Sequence, residues 1–267
     1  MKRTAVITGG SSGIGKELVD LFAANGYAVY NLSRRPGDHQ ELGGVIHIPT
    51  DITDIDQVKH AFAQIGEEVG RVDILINNAG FGISGAVEFT ESEDAKRLFD
   101  VNFFGSFNCI KEAVKLMRKN KGGRIINVSS AAAVFPIPFQ AFYSASKAAI
   151  NSLSLAVANE LKDFGISVCA VMPGDVRTGF TSARNKSTCG DDIYGGRIEL
   201  AVSIMENDER NGLLPELIAS DILRIAQKKH IKPLYTLGGK YKLFAVLQKL
   251  LPCGFVNNVI RLLYSKQ

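Results

Sequence analysis

The sequence predicts an α/β fold in which helices cover both faces of a doubly wound parallel sheet. Short apolar runs rich in β-branched residues alternate with amphipathic runs of helical length, and several of the apolar runs end in glycine-rich or polar turns. Strands are expected at 4–8, 27–33, 45–49, 72–76, 124–128, 166–172 and 231–237. We expect a single domain over residues 1–237 and a helical extension over residues 238–267.

The composition is that of an ordinary globular protein. Its 267 residues can bury a large core, and the hydrophobic and charged contents are 46% and 22%. A net charge of +4, with signs mixed along most of the chain, argues against nucleic acid as the main partner. The four cysteines fit no zinc or redox spacing, so we expect free thiols, a reducing compartment and no metal site. The sequence has neither a signal-peptide core nor a run of ~20 apolar residues, so a cytoplasmic protein is expected.

The first strand, the turn after it and the next helix predict a phosphate-binding site. The strand at 4–8 leads through glycines into an amphipathic helix at 13–25, which Gly26 ends. Glycines let the backbone approach an anion, and a helix N-terminus offers free N–H groups. The spacing G-x-x-x-G-x-G differs from the standard dinucleotide fingerprint, and a plain strand–helix turn is the alternative. The candidate residues are Gly9, Ser11, Ser12, Gly13, Ile14 and Gly15.

The end of the second strand bears on the choice of cofactor. Ser33 closes this strand, and Arg34 and Arg35 follow it without an acidic residue. An NAD site usually carries a carboxylate here that binds the ribose 2′-hydroxyl, whereas an arginine can receive a 2′-phosphate. The sequence therefore favours NADP(H) over NAD(H), and a basic surface loop is the alternative.

The later strands also end in turns that could contact a ligand. Ligands of parallel sheets bind outside the carboxyl ends of the strands, so these turns are expected to share one site. Helices are expected between the strands, at about 55–69, at 91–119 and from Tyr143 onward. The turns contain Asp51 and Ile52, then Asn77, Asn78, Ala79 and Gly80, then Ser130, and finally Pro173 and Gly174.

Tyr143 and Lys147 stand four residues apart in a run with helical periodicity, so both side chains share one helix face. A free phenol titrates near pH ~10 and is a poor base at neutral pH. A cation held beside it favours the phenolate and lowers its pKa. The pair is therefore a candidate for proton transfer, although this spacing alone is usually that of two plain surface residues.

Together these motifs resemble those of the short-chain dehydrogenase/reductase family, over roughly residues 4–178. Each motif stands in that family's order and spacing, and Ser130 precedes Tyr143 by thirteen positions as the family pattern requires. The resemblance implies a Rossmann-like fold and hydride transfer between a nicotinamide and a carbonyl or alcohol carbon. The matching residues are Thr8-Gly9-x-x-x-Gly13-Ile14-Gly15, Asn77-Asn78-Ala79-Gly80, Asn102, Ser130, Tyr143-x-x-x-Lys147 and Pro173-Gly174-x-Val176-x-Thr178.

The resemblance also implies roles for these residues. Tyr143 would give or take the proton, Lys147 would lower the Tyr143 pKa and bind the nicotinamide ribose, and Ser130 would hydrogen-bond the substrate oxygen. Asn102 would hold a water that extends the proton relay, with a structural helix asparagine as the alternative. At the cofactor, Asp51 and Ile52 would meet the adenine, Asn77 would line the adenosine end, and Val176 and Thr178 would meet the carboxamide.

Beyond the matching segment the sequence predicts a substrate lid and an extension. The lid is expected at about 179–215, followed by a helix at 215–229 and the last strand. The extension has two amphipathic pieces hinged at Pro252-Cys253-Gly254, with basic residues at Lys240, Lys242, Lys249, Arg261 and Lys266. It predicts either a flap that packs on the core or on a partner subunit, or an interfacial helix that lies on a membrane.

We therefore expect an NADP-dependent enzyme that interconverts a carbonyl and a secondary alcohol on an apolar, lipid-, steroid- or aromatic-like substrate. The alternatives are a preference for NAD and a nucleotide-binding regulator without turnover. The resemblance implies that the helix of Tyr143 and the long helix before it pair with their copies in a homodimer or homotetramer. A face with Ala145, Ala148, Ala149 and Ala156 would permit this close packing.

Overall fold

The structure is a computed structural model that describes residues 2–38 and 43–265. Its strands are β1 (Thr4–Thr8), β2 (Ala28–Ser33), β3 (Val45–Pro49), β4 (Ile74–Asn77), β5 (Ile83–Ser84), β6 (Gly123–Val128), β7 (Ile166–Pro173), β8 (Asn185–Lys186) and β9 (Leu234–Leu237). Within the described residues, seven of them form a sheet in the order β3-β2-β1-β4-β6-β7-β9, and every neighbouring pair is parallel. The predicted fold class is confirmed.

Helices cover both faces of this sheet. They are α1 (Gly13–Ala24), α2 (Ile55–Glu68), α3 (Ser92–Phe99), α4 (Ser106–Lys119), α5 (Ala141–Glu160), α6 (Phe180–Ala183), α7 (Arg197–Arg210), α8 (Pro215–Gln227), α9 (Gly239–Leu250) and α10 (Cys253–Ser265). Successive residues of β1 point to opposite faces: Ala5 and Ile7 pack in the core under α1 and α8, and Val6 packs in the core under α2 and α4. The strands read as continuous apolar runs because both of their faces are buried.

Two of the departures from the sequence prediction concern a long helix and the last strand of the sheet. The helix expected at 91–119 is broken by a π-helical segment, Asp100–Gly105, between α3 and α4. The last strand was expected from residue 231, but it begins at Leu234. Pro233, which precedes it, has no N–H to donate to the ladder, although its carbonyl accepts from the Ala170 amide at 2.9 Å.

The predicted extension contains two helices, α9 and α10, which are separated at Leu251 and Pro252. Residues 266 and 267, with the predicted basic residue Lys266, lie outside the described residues. Among the helices that the structure describes, none has the length and apolar character needed to cross a membrane.

Candidate active site

A glycine turn between β1 and α1 forms a cradle for an anion. Gly9 and Gly13 have φ angles of +67° and +54°, and a Cβ on Gly9 would stand 2.8 Å from the Ala79 backbone. Helix α1 begins at Gly13, its N-cap residue Ser12 makes no side-chain cap, and its first turn has no acidic residue. The backbone N–H groups at this end of the helix can therefore bind an anion, because a helix N-terminus favours negative charge.

The loop after β2 is held in place by two side chains from the strand. Ser33 donates from Oγ to the Arg35 carbonyl at 2.6 Å, and Asn31 donates from Nδ2 to the Pro36 carbonyl at 2.9 Å. Asn31 also accepts from the Gly10 amide at 3.1 Å, so it ties this loop to the glycine turn. Sequence reasoning missed Asn31, whose signal is a polar residue inside an apolar strand. Arg34 and Arg35 are exposed at the rim of the cleft.

The turn after β4 separates residues that face the cleft from one that does not. Asn77 is buried and donates from Nδ2 to Asn127 Oδ1 at 2.8 Å, so it joins β4 to β6 rather than lining the adenosine end. Asn78 donates to the carbonyl oxygens of Thr8 and Gly9 at 3.1 and 3.3 Å. The turn is thereby fastened to the glycine cradle, an interaction that the motif does not reveal.

The catalytic candidates meet where β6 ends beside the first turns of α5. Tyr143 and Lys147 are both buried, and the Lys147 Nζ lies 5.8 Å from the centre of the Tyr143 ring. Ser130 follows β6, accepts from the Ala132 amide at 3.1 Å and hydrogen-bonds the Tyr143 hydroxyl. A carbonyl oxygen placed between Ser130 and Tyr143 would have two donors, which is the arrangement that stabilises developing negative charge.

Burial shifts both titratable groups of this pair. It raises the pKa of the Tyr143 phenol to about 12, and the hydrogen bond from Ser130 offsets part of the rise. It lowers the pKa of the Lys147 ammonium to about 8. The expected lowering of the Tyr143 pKa by Lys147 differs in direction from this result, because desolvation of the phenolate is the larger effect. At neutral pH Tyr143 is a neutral phenol, the form that can donate a proton.

Asn102 lies in the π-helical segment and does not line the cleft. Its side-chain amide accepts from the Phe81 N–H and donates to the Phe81 carbonyl, both at 3.0 Å, and it donates to Ser146 Oγ at 3.1 Å. A Cβ on Gly80 would stand 2.9 Å from Asn102 Oδ1 and 3.4 Å from Lys147 Nζ. Asn102 therefore holds the turn after β4 against Lys147.

The turn after β7 forms the opposite wall. Thr178 lies close to Gly13, where a Cβ would stand 3.3 Å from the threonine Cβ. Val176 bridges to Leu213, and Gly174 packs so tightly against the Tyr241 ring that a Cβ would clash with it. Tyr241 belongs to α9, so the extension reaches the wall of the cleft. The sequence did not decide whether the extension packs on the core, on a partner subunit or on a membrane.

These walls enclose one continuous cleft of about 1140 Å³. Of the predicted cofactor residues, all except Gly15 and Asn77 line it; at Gly15 a Cβ would clash with the Gly9 carbonyl. Of the catalytic candidates, Ser130, Tyr143 and Lys147 line it. Beyond Tyr143 the lining becomes apolar. Its side chains come from the loop before α5, the lid and the extension, and they include Ile137, Phe180, Ile204, Met205, Phe244, Leu247, Leu251, Val259 and Ile260.

Three carboxylates on the apolar half of the cleft were not predicted. Asp175 accepts a hydrogen bond from the Tyr241 hydroxyl, and burial raises its pKa. Glu209 is paired with Arg184 and accepts from Thr181 Oγ1 at 2.6 Å. Asp208 has no hydrogen bond or ion pair with any residue in the described part of the chain. Asp175 could have been found from its position in the turn after β7. Asp208 and Glu209 could not, because only the tertiary packing brings α7 to the cleft.

The observed cradle fits a nicotinamide dinucleotide. The glycine turn and the α1 N-terminus suit its pyrophosphate, the β2 loop lies where a ribose would follow, and Lys147 can hydrogen-bond the second ribose. The cleft continues from there to Tyr143 and Ser130 without interruption. The site therefore has room for a dinucleotide together with a second, apolar molecule.

Comparisons with known proteins agree with this geometry. The sequence model described as short chain dehydrogenase matches residues 3–188. A 3-ketodihydrosphingosine reductase from Bacteroides thetaiotaomicron is 40% identical over 264 residues, which cover 97% of this chain and 97% of that protein. A short-chain dehydrogenase structure from Streptomyces avermitilis has a TM-score of 0.84 and 27% identity, with 94% of each chain covered. The structure of ElxO with NADP bound has a TM-score of 0.74 and 29% identity, and covers 91% of this chain and 100% of that chain.

Proposed function

The chain belongs to the short-chain dehydrogenase family, and on that basis we propose that it uses NADPH to reduce the ketone of a long-chain amino lipid. The family acts on CH–OH and C=O groups with NAD(P), and the chain is an oxidoreductase of this class. One observation carries the finer proposal: the cleft of Tyr143 continues into an apolar half with the carboxylate of Asp208 on its wall, and no described residue pairs with that carboxylate.

The catalytic residues support reduction with Tyr143 as the proton donor. When bound, NADPH supplies the hydride that adds to the carbonyl carbon. Ser130 and Tyr143 hold the carbonyl oxygen, and the neutral Tyr143 hydroxyl gives its proton to that oxygen, so that C=O becomes CH–OH. The Lys147 ammonium stabilises the phenolate that remains on Tyr143, which then takes up a proton from solvent.

The loop after β2 supports NADP(H) as the cofactor. Ser33 is neutral and cannot repel a 2′-phosphate, and Arg34 beside it can pair with phosphate oxygens through its planar fork. The hydrogen bonds of Ser33 and Asn31 to the loop carbonyls hold Arg34 at the rim of the cleft. The similarity to ElxO, whose structure has NADP bound, supports the same choice.

The apolar half of the cleft supports a long-chain amine as the substrate. Its apolar lining fits an alkyl chain, and a carboxylate without a partner fits a cationic amine better than it fits a neutral substrate. Asp175 and Glu209 are already hydrogen-bonded by protein groups, which leaves Asp208 for the ligand. The 3-ketodihydrosphingosine named for the relative is a long-chain ketone with a neighbouring amine, so it combines both features.

Two exposed helix faces support assembly of the enzyme as a homodimer or homotetramer. On α4, Phe107 is 44% exposed, and on α5, Leu155 is 40% exposed beside the exposed Ala145, Ala148 and Ala156. Large apolar side chains next to small ones allow two helices to approach closely when they are buried together. We therefore place the subunit interface on α4 and α5.

The proposal is tested with a substrate panel. NADPH oxidation is measured with a long-chain 2-amino-3-ketone, the same ketone without its amine, a short-chain ketone and a 3-keto steroid, and each assay is repeated with NADH. We expect the highest kcat/KM for the long-chain amino ketone with NADPH. Equal or higher kcat/KM for the steroid or the short ketone would overturn the substrate assignment and leave the reaction class unchanged.

A further inference from the structure

Helix α9 has apolar side chains on two different faces. On its inner face, Phe244 and Leu247 line the cleft. On its outer face, Leu243, Val246 and Leu250 are 59%, 58% and 76% exposed. Their spacing of three and four residues places them on one stripe of the helix, which we call the outer stripe. The outer stripe does not line the cleft, and so it needs a separate explanation.

The helix that carries the outer stripe is anchored to the body of the protein. Gln248 donates to the Val134 carbonyl at 2.7 Å, and the rings of Phe244 and Phe135 meet edge to face at 6.3 Å. Tyr241 hydrogen-bonds Asp175 at the other end of α9. The outer stripe is thus presented to solvent from a fixed position, and large exposed apolar surfaces of this kind mark interaction sites.

The charge around the outer stripe has one sign. Residues 239–265 carry four basic side chains and no acidic one, which equals the net charge of +4 of the whole chain. Lys242 and Lys249 stand seven residues apart beside the stripe, both are exposed, and neither forms an ion pair within the described residues. A helix with an apolar stripe and flanking lysines matches an anionic lipid surface, where each lysine adds electrostatic attraction.

The mouth of the cleft includes side chains of α10, the helix that follows α9. Phe255 and Leu263 of α10 line the cleft and are nonetheless 57% and 62% exposed, so they mark its mouth. A self-associating interface is the poorer match for this surface, because two copies related by a two-fold axis would bring their lysines together. The outer stripe, the two lysines beside it and the nearby mouth of the cleft point instead to a lipid surface as the partner.

We propose that α9 and α10 dock the enzyme on an anionic membrane through the outer stripe, with the mouth of the cleft at the lipid surface. The leucine and valine side chains of the stripe insert among the acyl chains, and Lys242 and Lys249 contact the headgroups. A lipid substrate then passes from the bilayer into the cleft without crossing water. This passage rests on the proposed function, whereas the docking itself does not.

The docking is tested by co-sedimentation of the full chain with two kinds of vesicle. One contains phosphatidylglycerol and phosphatidylcholine in equal parts, and the other contains phosphatidylcholine alone. We expect binding to the anionic vesicles that weakens about fivefold for each of Lys242→Gln and Lys249→Gln. Leu250→Asp should weaken it by about tenfold or more. Leu217→Asp, at a leucine on α8 that is 54% exposed, is the matched control and should bind as wild type does.

Several outcomes would overturn docking. Docking is refuted if the wild type binds no vesicles, if it binds both kinds of vesicle equally, or if the two lysine variants bind as the wild type does. The lysine substitutions are at exposed positions and remove no buried contact, so they decide the matter even if Leu250→Asp does not fold. A smaller particle for Leu250→Asp in light scattering, without vesicle binding by the wild type, would assign the stripe to a subunit interface and also refute the proposal.

The passage is tested with the same variants in turnover assays. With a long-chain amino ketone embedded in anionic vesicles, Lys242→Gln and Lys249→Gln should lower kcat/KM in proportion to their loss of binding. With a short water-soluble ketone they should match the wild type. Equal rates on the embedded ketone would refute the passage. A wild type that binds vesicles but reduces no ketone would refute the proposed function and leave docking intact.

Discussion

Lys147 donates from Nζ to the backbone carbonyl of Val128 at 2.9 Å, which ties this candidate catalytic group to the last residue of β6. Ser130 stands two residues further along the same chain segment, so one strand end positions both partners of Tyr143. Tyr143 itself shares one face of α5 with Lys147, because the two residues stand four positions apart. The relative placement of the three therefore depends on how α5 packs against β6 and β7, more than on any loop.

Replacing Tyr143 with Phe should reduce turnover and spare cofactor binding. The substitution removes the proposed proton donor, and loss of such a group typically costs ~10²–10⁴-fold in rate. The phenyl ring can keep its packing against Phe180, whose ring centre lies 5.6 Å away. The measurements are kcat and the NADPH dissociation constant, with Tyr194→Phe as a control at a half-buried tyrosine that bonds Glu88. Near-normal kcat in Tyr143→Phe would refute the assignment.

The rate of NADPH capture should fall at alkaline pH. Lys147 is cationic below its pKa of about 8 and neutral above it. Because the cation is proposed to stabilise the phenolate and to bind the ribose, kcat/KM for NADPH should be level near neutral pH and decline as the pH rises through 8. This parameter reports ionisations of the free enzyme. Tyr143, with a pKa of about 12, stays protonated over the same range. A profile that stays level well above pH 8 would contradict the role of the lysine charge.

Cofactor preference should depend on Ser33 and Arg34. Wild type should bind NADPH at least tenfold more tightly than NADH, since a charge-assisted contact is worth roughly ten- to a hundredfold in affinity. Arg34→Ala should erase most of this ratio, and Ser33→Asp should reverse it by repelling the phosphate. Ser33→Ala is the matched control, because it also loses the hydrogen bond to Arg35 but adds no charge. Equal or tighter NADH binding by wild type would refute this interpretation of the loop.

Asp208 should distinguish amino ketones from plain ketones. Asp208→Asn removes the carboxylate charge, so KM for a long-chain amino ketone should rise by about tenfold or more. KM for the same ketone without its amine should stay unchanged. Glu206→Gln is the control on the same helix, where the native carboxylate pairs with Lys186 and Arg210. An equal rise for both ketones would show that Asp208 acts only on the shape of the cleft.

The oligomer should depend on α4 and α5. Phe107→Asp places a charge on the exposed face of α4 and should convert a dimer to a monomer in light scattering at micromolar concentration. Leu250→Asp, which changes the outer stripe instead, should leave the oligomer intact. A monomeric wild type would count against the assembly.

The sheet and the motif residues could be predicted from the sequence because each strand is a local run and each motif follows a strand end. The break at Asp100–Gly105 could not, because it depends on Asn102 reaching Phe81 across 21 positions of sequence. The pair β5 and β8 was missed because strands of two residues show no alternation. Asp208 was missed because its place on the cleft depends on where α7 lies.

The π-helical segment constrains the length of the chain between α3 and α4. A π turn holds one more residue than the α-turn that it replaces. Deletion of one residue there would let the two helices fuse with regular backbone hydrogen bonds, yet it would rotate α3 by ~100° and carry Asn102 away from Phe81. A regular helix and the contact of Asn102 with Phe81 are therefore alternatives for this segment. The extra residue gives up one regular helical turn and keeps Asn102 bonded to the turn after β4.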